Sequence, residues 1–177
     1  DHLANEYGYT QTRFIPPDEM REMVATTRYH GGLLDNGAAH LHPLNYALGM
    51  ARAAKAAGVT IYENSRVTKI DHTDPAKVHT ADGSVTAKFV VMACNGYLKN
   101  LEPRIAGRII PVNNFIIATE PLGEAAARAL IRDNVAVQDT KFVIDYYRLS
   151  ADHRLLFGGG ENYSSKFPRD IAAFVRK

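Results

Sequence analysis

Phe89-Val-Val-Met-Ala93 is a run of five apolar residues that stops abruptly at Cys94-Asn95-Gly96-Tyr97. An apolar run of strand length with no polar alternation predicts a β-strand buried on both faces. Small residues at the carboxyl end of such a strand leave the backbone open to a ligand, because no side chain blocks it.

The sequence around this run predicts alternating helices and strands. Pro16-Pro17-Asp18-Glu19 opens a helix over 18–26, with proline and acids suited to a first turn. His30 to Leu34 reads as a short strand and Asp35-Asn36-Gly37 as a turn. A helix starts near Leu41-His42-Pro43-Leu44, runs through the alanine-rich stretch 51–57 and ends at Gly58 as a C′ glycine. Val59–Glu63 reads as a strand, and Arg66–Ile70 alternates as a half-buried one. Lys77–Thr80 and Val85–Lys88 flank Asp82-Gly83, a hairpin signal. A short helix is expected over 97–101, a long strand over 109–119 and a helix over 123–132. Strands at 142–149 and 154–157 form an antiparallel pair, with Gly158-Gly159-Gly160 ending the second. The pattern predicts an α+β class with a mixed sheet and no internal repeat.

Composition narrows the function. The chain has 177 residues, 46% hydrophobic and 23% charged, with net charge +2. That charge is too small to argue for a nucleic-acid partner or an anionic membrane. No apolar run approaches the roughly 20 residues of a membrane-spanning helix. The single cysteine, Cys94, excludes an intrachain disulfide and favours a reducing, cytoplasmic compartment. It reads as a small buried residue. The chain opens at Asp1 and closes on Val175-Arg176-Lys177 inside an expected helix, so it reads as an internal fragment.

Two segments carry candidate chemistry. Asp145-Tyr146-Tyr147-Arg148-Leu149 puts Tyr146 and Arg148 on one strand face and Tyr147 on the other. The glycines at 158–160 let backbone pass a flat ring closely, although a glycine tract more often marks a bend or bulge. His40 and His42 are expected to cap or charge a helix start rather than to catalyse. With no Cys, Asp or Glu completing a ligand set they give no metal site. No Gly-x-Ser-x-Gly, phosphate-binding P-loop or His-Glu-x-x-His occurs.

Taken together, 58–96 and 145–160 resemble the FAD-dependent oxidoreductases of the D-amino-acid oxidase superfamily, in particular the gamma-glutamylputrescine oxidoreductase-like branch. Tyr29–Asp35, Gly37–Leu44, Ile109–Asn113 and Ala118–Leu122 extend the likeness over nearly the whole chain. The resemblance implies an α/β parent whose mixed-sheet substrate domain joins part of an FAD-binding domain with a β-meander. It assigns 1–45 to a substrate-domain segment and linker, and 46–105 to the second part of the FAD-binding domain. It assigns 106–160 to the substrate-domain sheet and 161–177 to a truncated helical return. It implies Val67, Ala93, Asn95, Gly96, Gly158 and Gly159 near FAD, with Tyr147 and Arg148 as pocket or flavin neighbours. The Gly-x-Gly-x-x-Gly loop that holds the FAD pyrophosphate at a helix N-terminus does not occur in this sequence.

The implied activity is oxidation of the C–N bond of a small amine or amino acid, gamma-glutamylputrescine-like, by hydride transfer to FAD with O₂ as acceptor. The other readings left open are a dehydrogenase with a different acceptor, a non-catalytic ligand- or partner-binding remnant, and a structural domain. The sequence leaves the oligomeric state undetermined.

Overall fold

The computed structural model describes residues 2–163 and 166–175. The chain divides into two compact units. One comprises Asp1–Pro43 with Asn113–Lys177, and the other Leu44–Val112.

The first unit opens with helix α1 (His2–Tyr7), strand β1 (Thr12–Ile15), helix α2 (Pro17–Met23) and strand β2 (Gly32–Asp35). β1 and β2 pair antiparallel, Phe14 opposite Leu33. Helix α2 starts behind Pro16 with Pro17, Asp18 and Glu19 in its first turn, and Val24 leaves it in an extended conformation. It therefore ends short of the expected Thr26. Neither α1 nor β1 is marked in the sequence by apolar periodicity.

Helix α3 (Pro43–Ala56) opens the second unit's part of the chain. It ends in a Schellman arrangement. The Val59 amide donates to the Ala54 carbonyl and the Gly58 amide to Lys55, both at 3.0 Å. Gly58 takes φ 89°, the left-handed conformation glycine adopts without penalty. Strands β3 (Lys69–Asp71), β4 (Ala76–His79) and β5 (Ser84–Ala87) form the expected antiparallel meander, and a short helix α4 (Pro103–Ala106) follows.

Two expected strands do not form. Residues 59–63 and 89–93 carry no regular structure and pair with no strand among the described residues. Instead of being buried, Phe89 is 80% and Val91 88% exposed. The physical reason is that a strand exists through its neighbours. A strand buried on both faces needs hydrogen-bond partners along its edges and layers above and below it. Helix α3 likewise has no buried residue, and Leu44, Tyr46 and Met50 are all exposed. Cys94 is half-buried rather than buried. The helix expected at 97–101 is a 3₁₀ turn at Asn95–Tyr97.

The chain then returns to the first unit through β6 (Asn113–Ala118), α5 (Glu124–Leu130), β7 (Val137–Gln138), β8 (Tyr146–Leu149), β9 (Leu155–Asn162) and α6 (Ile171–Val175). The sheet order is β6-β9-β8-β7, with every pair antiparallel. The α+β class holds, and all the described sheets are antiparallel. Residues 164, 165, 176 and 177 of the expected helical return lie outside the described residues. The three glycines do not end the last strand. β9 runs through them to Asn162, with a register shift against β6 between Asn114 and Ile116.

The core sits under this sheet. Ile15, Met20, Met23 and Val24 form one buried cluster, and Ala127, Ile131 and Leu149 another. Tyr147 and Val135 pack against both. Backbone bonds from Ala25 to Leu130 and from Arg132 to Met23, each 2.9 Å, tie the ends of α2 and α5 together.

Substituting Val91 with Asp tests the bare apolar strip. Exposed as it is, the change is expected to move the melting temperature by less than about 3 °C, as surface changes do. It should also raise solubility. A fall of about 10 °C or more in a thermal melt would show that Val91 is core.

Candidate active site

Strand β8 sorts the candidate residues by alternation. Cross-strand partners share a face. Val137, Tyr147, Phe157 and Ile117 stand in one row, and Gln138, Tyr146, Gly158 and Ile116 in the next. The first row faces the core. Arg148 pairs with Leu156 and Leu156 with Ala118, on the same side as the second row. Tyr147 and Arg148 therefore lie on opposite faces, and Tyr146 is the tyrosine that accompanies Arg148.

Tyr147 packs toward the core. Its ring stacks on Phe157 at 5.6 Å and 16°, and its hydroxyl donates to the Tyr29 hydroxyl at 3.0 Å. Burial, followed by the Tyr29 contact, pushes its phenol far above the usual tyrosine range. A phenol so placed keeps its proton at neutral pH and does not act as a base.

The second row carries a shelf. The Tyr146 ring lies over Gly158, where an alanine Cβ would overlap it. The Tyr146 hydroxyl donates to Asn114 Oδ1. Burial raises the Tyr146 phenol as well. Ile116 beside it is 61% exposed. The two other glycines are also covered by the chain itself. A Cβ on Gly159 would lie 2.9 Å from Asp145 Oδ1, and one on Gly160 would lie 2.9 Å from the Phe174 ring. Gly160 has φ 79°, which favours glycine at the bulge. A Cβ at Gly158 or Gly159 would thus meet the protein's own side chains.

A buried charge knot fixes the start of β8, and no sequence spacing signals it. The Asp139 and Asp145 side chains are only 7% and 6% exposed. Lys141 Nζ reaches Asp145 Oδ2 at 2.5 Å and Asp139 Oδ2 at 3.1 Å. Asp139 Oδ1 accepts from the amides of Asp145 at 3.0 Å and Lys141 at 3.2 Å. Burial pushes the Asp139 carboxyl up, but these amides and the ammonium outweigh it and hold the carboxyl below its ordinary range.

The remaining candidates lie in the second unit. Ala93, Asn95 and Gly96 fall in one exposed turn, and half-buried Val67 lies just ahead of β3. Asn95 has φ 48°, and its Oδ1 accepts from the Gly96 amide at 2.8 Å. Nothing lies within 4 Å of a Cβ built on Gly96, so the turn is open to a ligand's edge. That openness fits one side of a dinucleotide, while the glycine loop for its phosphates is not in this sequence. Nearby, Glu102 caps α4, accepting from the Arg104 amide at 3.3 Å, and faces His72 Nε2 at 2.9 Å. The same unit thus holds a polar pair that sequence spacing does not reveal.

The family model for FAD dependent oxidoreductase matches residues 1–177. The chain belongs to this family, the DAO family, and the resemblance read from its motifs is a family membership. Among its relatives is the gamma-glutamylputrescine oxidoreductase of Escherichia coli (strain K12), 46% identical over 170 residues, covering 96% of this chain and 40% of that protein. A probable oxidoreductase OrdL of Rhizobium meliloti (strain 1021) is 38% identical over 176 residues, covering 99% of this chain and 41% of its own length. The crystal structure of glycine oxidase from Geobacillus kaustophilus superposes with a TM-score of 0.69 at 18% identity, covering 93% of this chain and 44% of that one. The fold is therefore shared with a solved structure, and the chain spans about two fifths of the length of these relatives. Among the described residues no helix is long and apolar enough to cross a membrane.

Two measurements test the site's packing. Gly158→Ala is expected to destabilise the chain by about 1–3 kcal/mol, as overpacking does. Tyr146→Ala in the same chain should remove that penalty, because the two changes share one space. Urea midpoints of the two single variants and the double variant read the coupling, and additive losses would disprove it. The second measurement concerns Asp139. A carboxyl that binds its proton less readily when folded stabilises the fold above the ordinary carboxyl range, and that contribution is lost as pH falls. The melting temperature of the native chain should drop as pH falls toward about 3, and Asp139→Asn should flatten the drop.

Proposed function

We propose that the whole protein oxidises the C–N bond of a small amine, with a gamma-glutamylated diamine as the preferred class, and that dioxygen is the acceptor. The observation that carries this reading is the 46% identity, along 170 residues, with a protein named gamma-glutamylputrescine oxidoreductase. A bound FAD supplies the hydride acceptor, the part of the chemistry no side chain provides.

The chain's own residues bind and orient. Val67 and the open turn of Ala93, Asn95 and Gly96 border the cofactor in this reading. Gly158 and Gly159 serve it indirectly, by letting Tyr146 and Asp145 lie close to β9. Arg148 and Tyr146 present a guanidinium and a phenol on the open sheet face, and Tyr147 braces that face from behind. None of these groups is a convincing general base, and none is needed if the amine arrives neutral. With FAD held there, the nitrogen lone pair of such an amine would assist departure of the hydride, and water would hydrolyse the resulting imine. The bare apolar strip at 89–92 faces further residues of a longer polypeptide in the same reading. The single cysteine is consistent with a cytoplasmic setting.

The test is the visible spectrum of the whole protein before and after anaerobic addition of a gamma-glutamylated diamine. A flavin spectrum that bleaches is the expected result. A flavin spectrum that persists rejects the substrate class. A colourless protein that takes up no added FAD rejects the enzyme and supports a binding remnant.

A further inference from the structure

His40 lies outside every helix and ligates nothing in the reading above, yet both its ring nitrogens are engaged. Nε2 lies 2.8 Å from the carbonyl oxygen of Asn134. Nδ1 lies 3.3 Å from Nη1 of Arg148. A carbonyl oxygen only accepts and a guanidinium only donates. Nε2 must therefore carry the proton and Nδ1 must present its lone pair. The two partners together admit one state of this imidazole, neutral with the proton on Nε2.

Arg148 is held on more than one side. Its Nη1 also donates to the Leu149 carbonyl at 3.3 Å, and its Nη2 to the Leu41 carbonyl at 3.1 Å. Three of the five guanidinium N–H groups are then directed into the chain. The remaining edge has a fixed direction. Asn134, with φ 53°, turns its carbonyl toward His40 from the loop between α5 and β7.

We propose that His40 is the positioning residue of Arg148. It fixes the guanidinium through its Nδ1 lone pair and so sets the edge that meets an anionic or carbonyl group of the substrate. The substrate part rests on the function proposed above, while the clasp itself does not.

Two variants separate the roles of the ring. His40→Asn keeps an oxygen where Nδ1 stood, whereas His40→Gln keeps a donor for Asn134 and offers Arg148 no acceptor at that position. Nitrogen NMR of this chain near pH 8 should show His40 protonated on Nε2. The Arg148 Nη protons should be protected in the native chain and in His40→Asn, and unprotected in His40→Gln. A proton on Nδ1, or equal Arg148 protection in native and His40→Gln chains, overturns the proposal. In the whole FAD-loaded protein, His40→Gln should raise KM about tenfold with kcat little changed, and His40→Asn should restore it. An unchanged KM in His40→Gln overturns the positioning role. Absence of any amine turnover rejects the proposed function instead, and the Arg148 protection still decides the clasp.

Discussion

The alternation of β8 governs the first unit. One tyrosine points down and its neighbours point up, a consequence of the two-residue strand repeat. Tyr147 goes down, where it packs against both buried clusters and bonds to Tyr29. That leaves Tyr146 and Arg148 on the open side, where the register aligns them with β9 and β6. A one-residue slip would expose Tyr147 and bury a guanidinium, so the core itself fixes which residues face a ligand. The charge knot of Asp139, Lys141 and Asp145 sits at the entry to β8, where it opposes such a slip.

The glycines of β9 answer the same constraint. Their missing side chains make room for Tyr146, Asp145 and Phe174, so the bulky groups of neighbouring segments close the surface of the strand. Close approach is the physical reason for the glycine tract, and the approaching groups belong to the chain itself.

The second unit shows the opposite condition. Its meander and the C-terminal cap of α3 form because their partners are local: a hairpin turn, a three-stranded ladder and a glycine at C′. The runs 59–63 and 89–93 remain irregular because their side chains call for layers that no described segment provides. Apolar content states that a segment must be covered. It does not supply the cover.

Local chemistry is therefore legible in the sequence. Proline and acids at 16–19 mark α2, Asp82-Gly83 marks the β4–β5 hairpin, and the motif at 145–160 marks the paired strands and the family. Alternation at 146–148 alone assigns the two faces of β8. What the sequence leaves open depends on distance along the chain. His40 meets Arg148 across 108 residues and Tyr29 meets Tyr147 across 118, and no spacing rule links residues so far apart. The sequence by itself determined the α+β class, the local elements and the family. Only the tertiary structure decided which apolar runs are covered, which tyrosine packs into the core and which histidine holds Arg148. Burial and hydrogen-bond partnership belong to the neighbours a residue meets, and those neighbours are set by the fold as a whole.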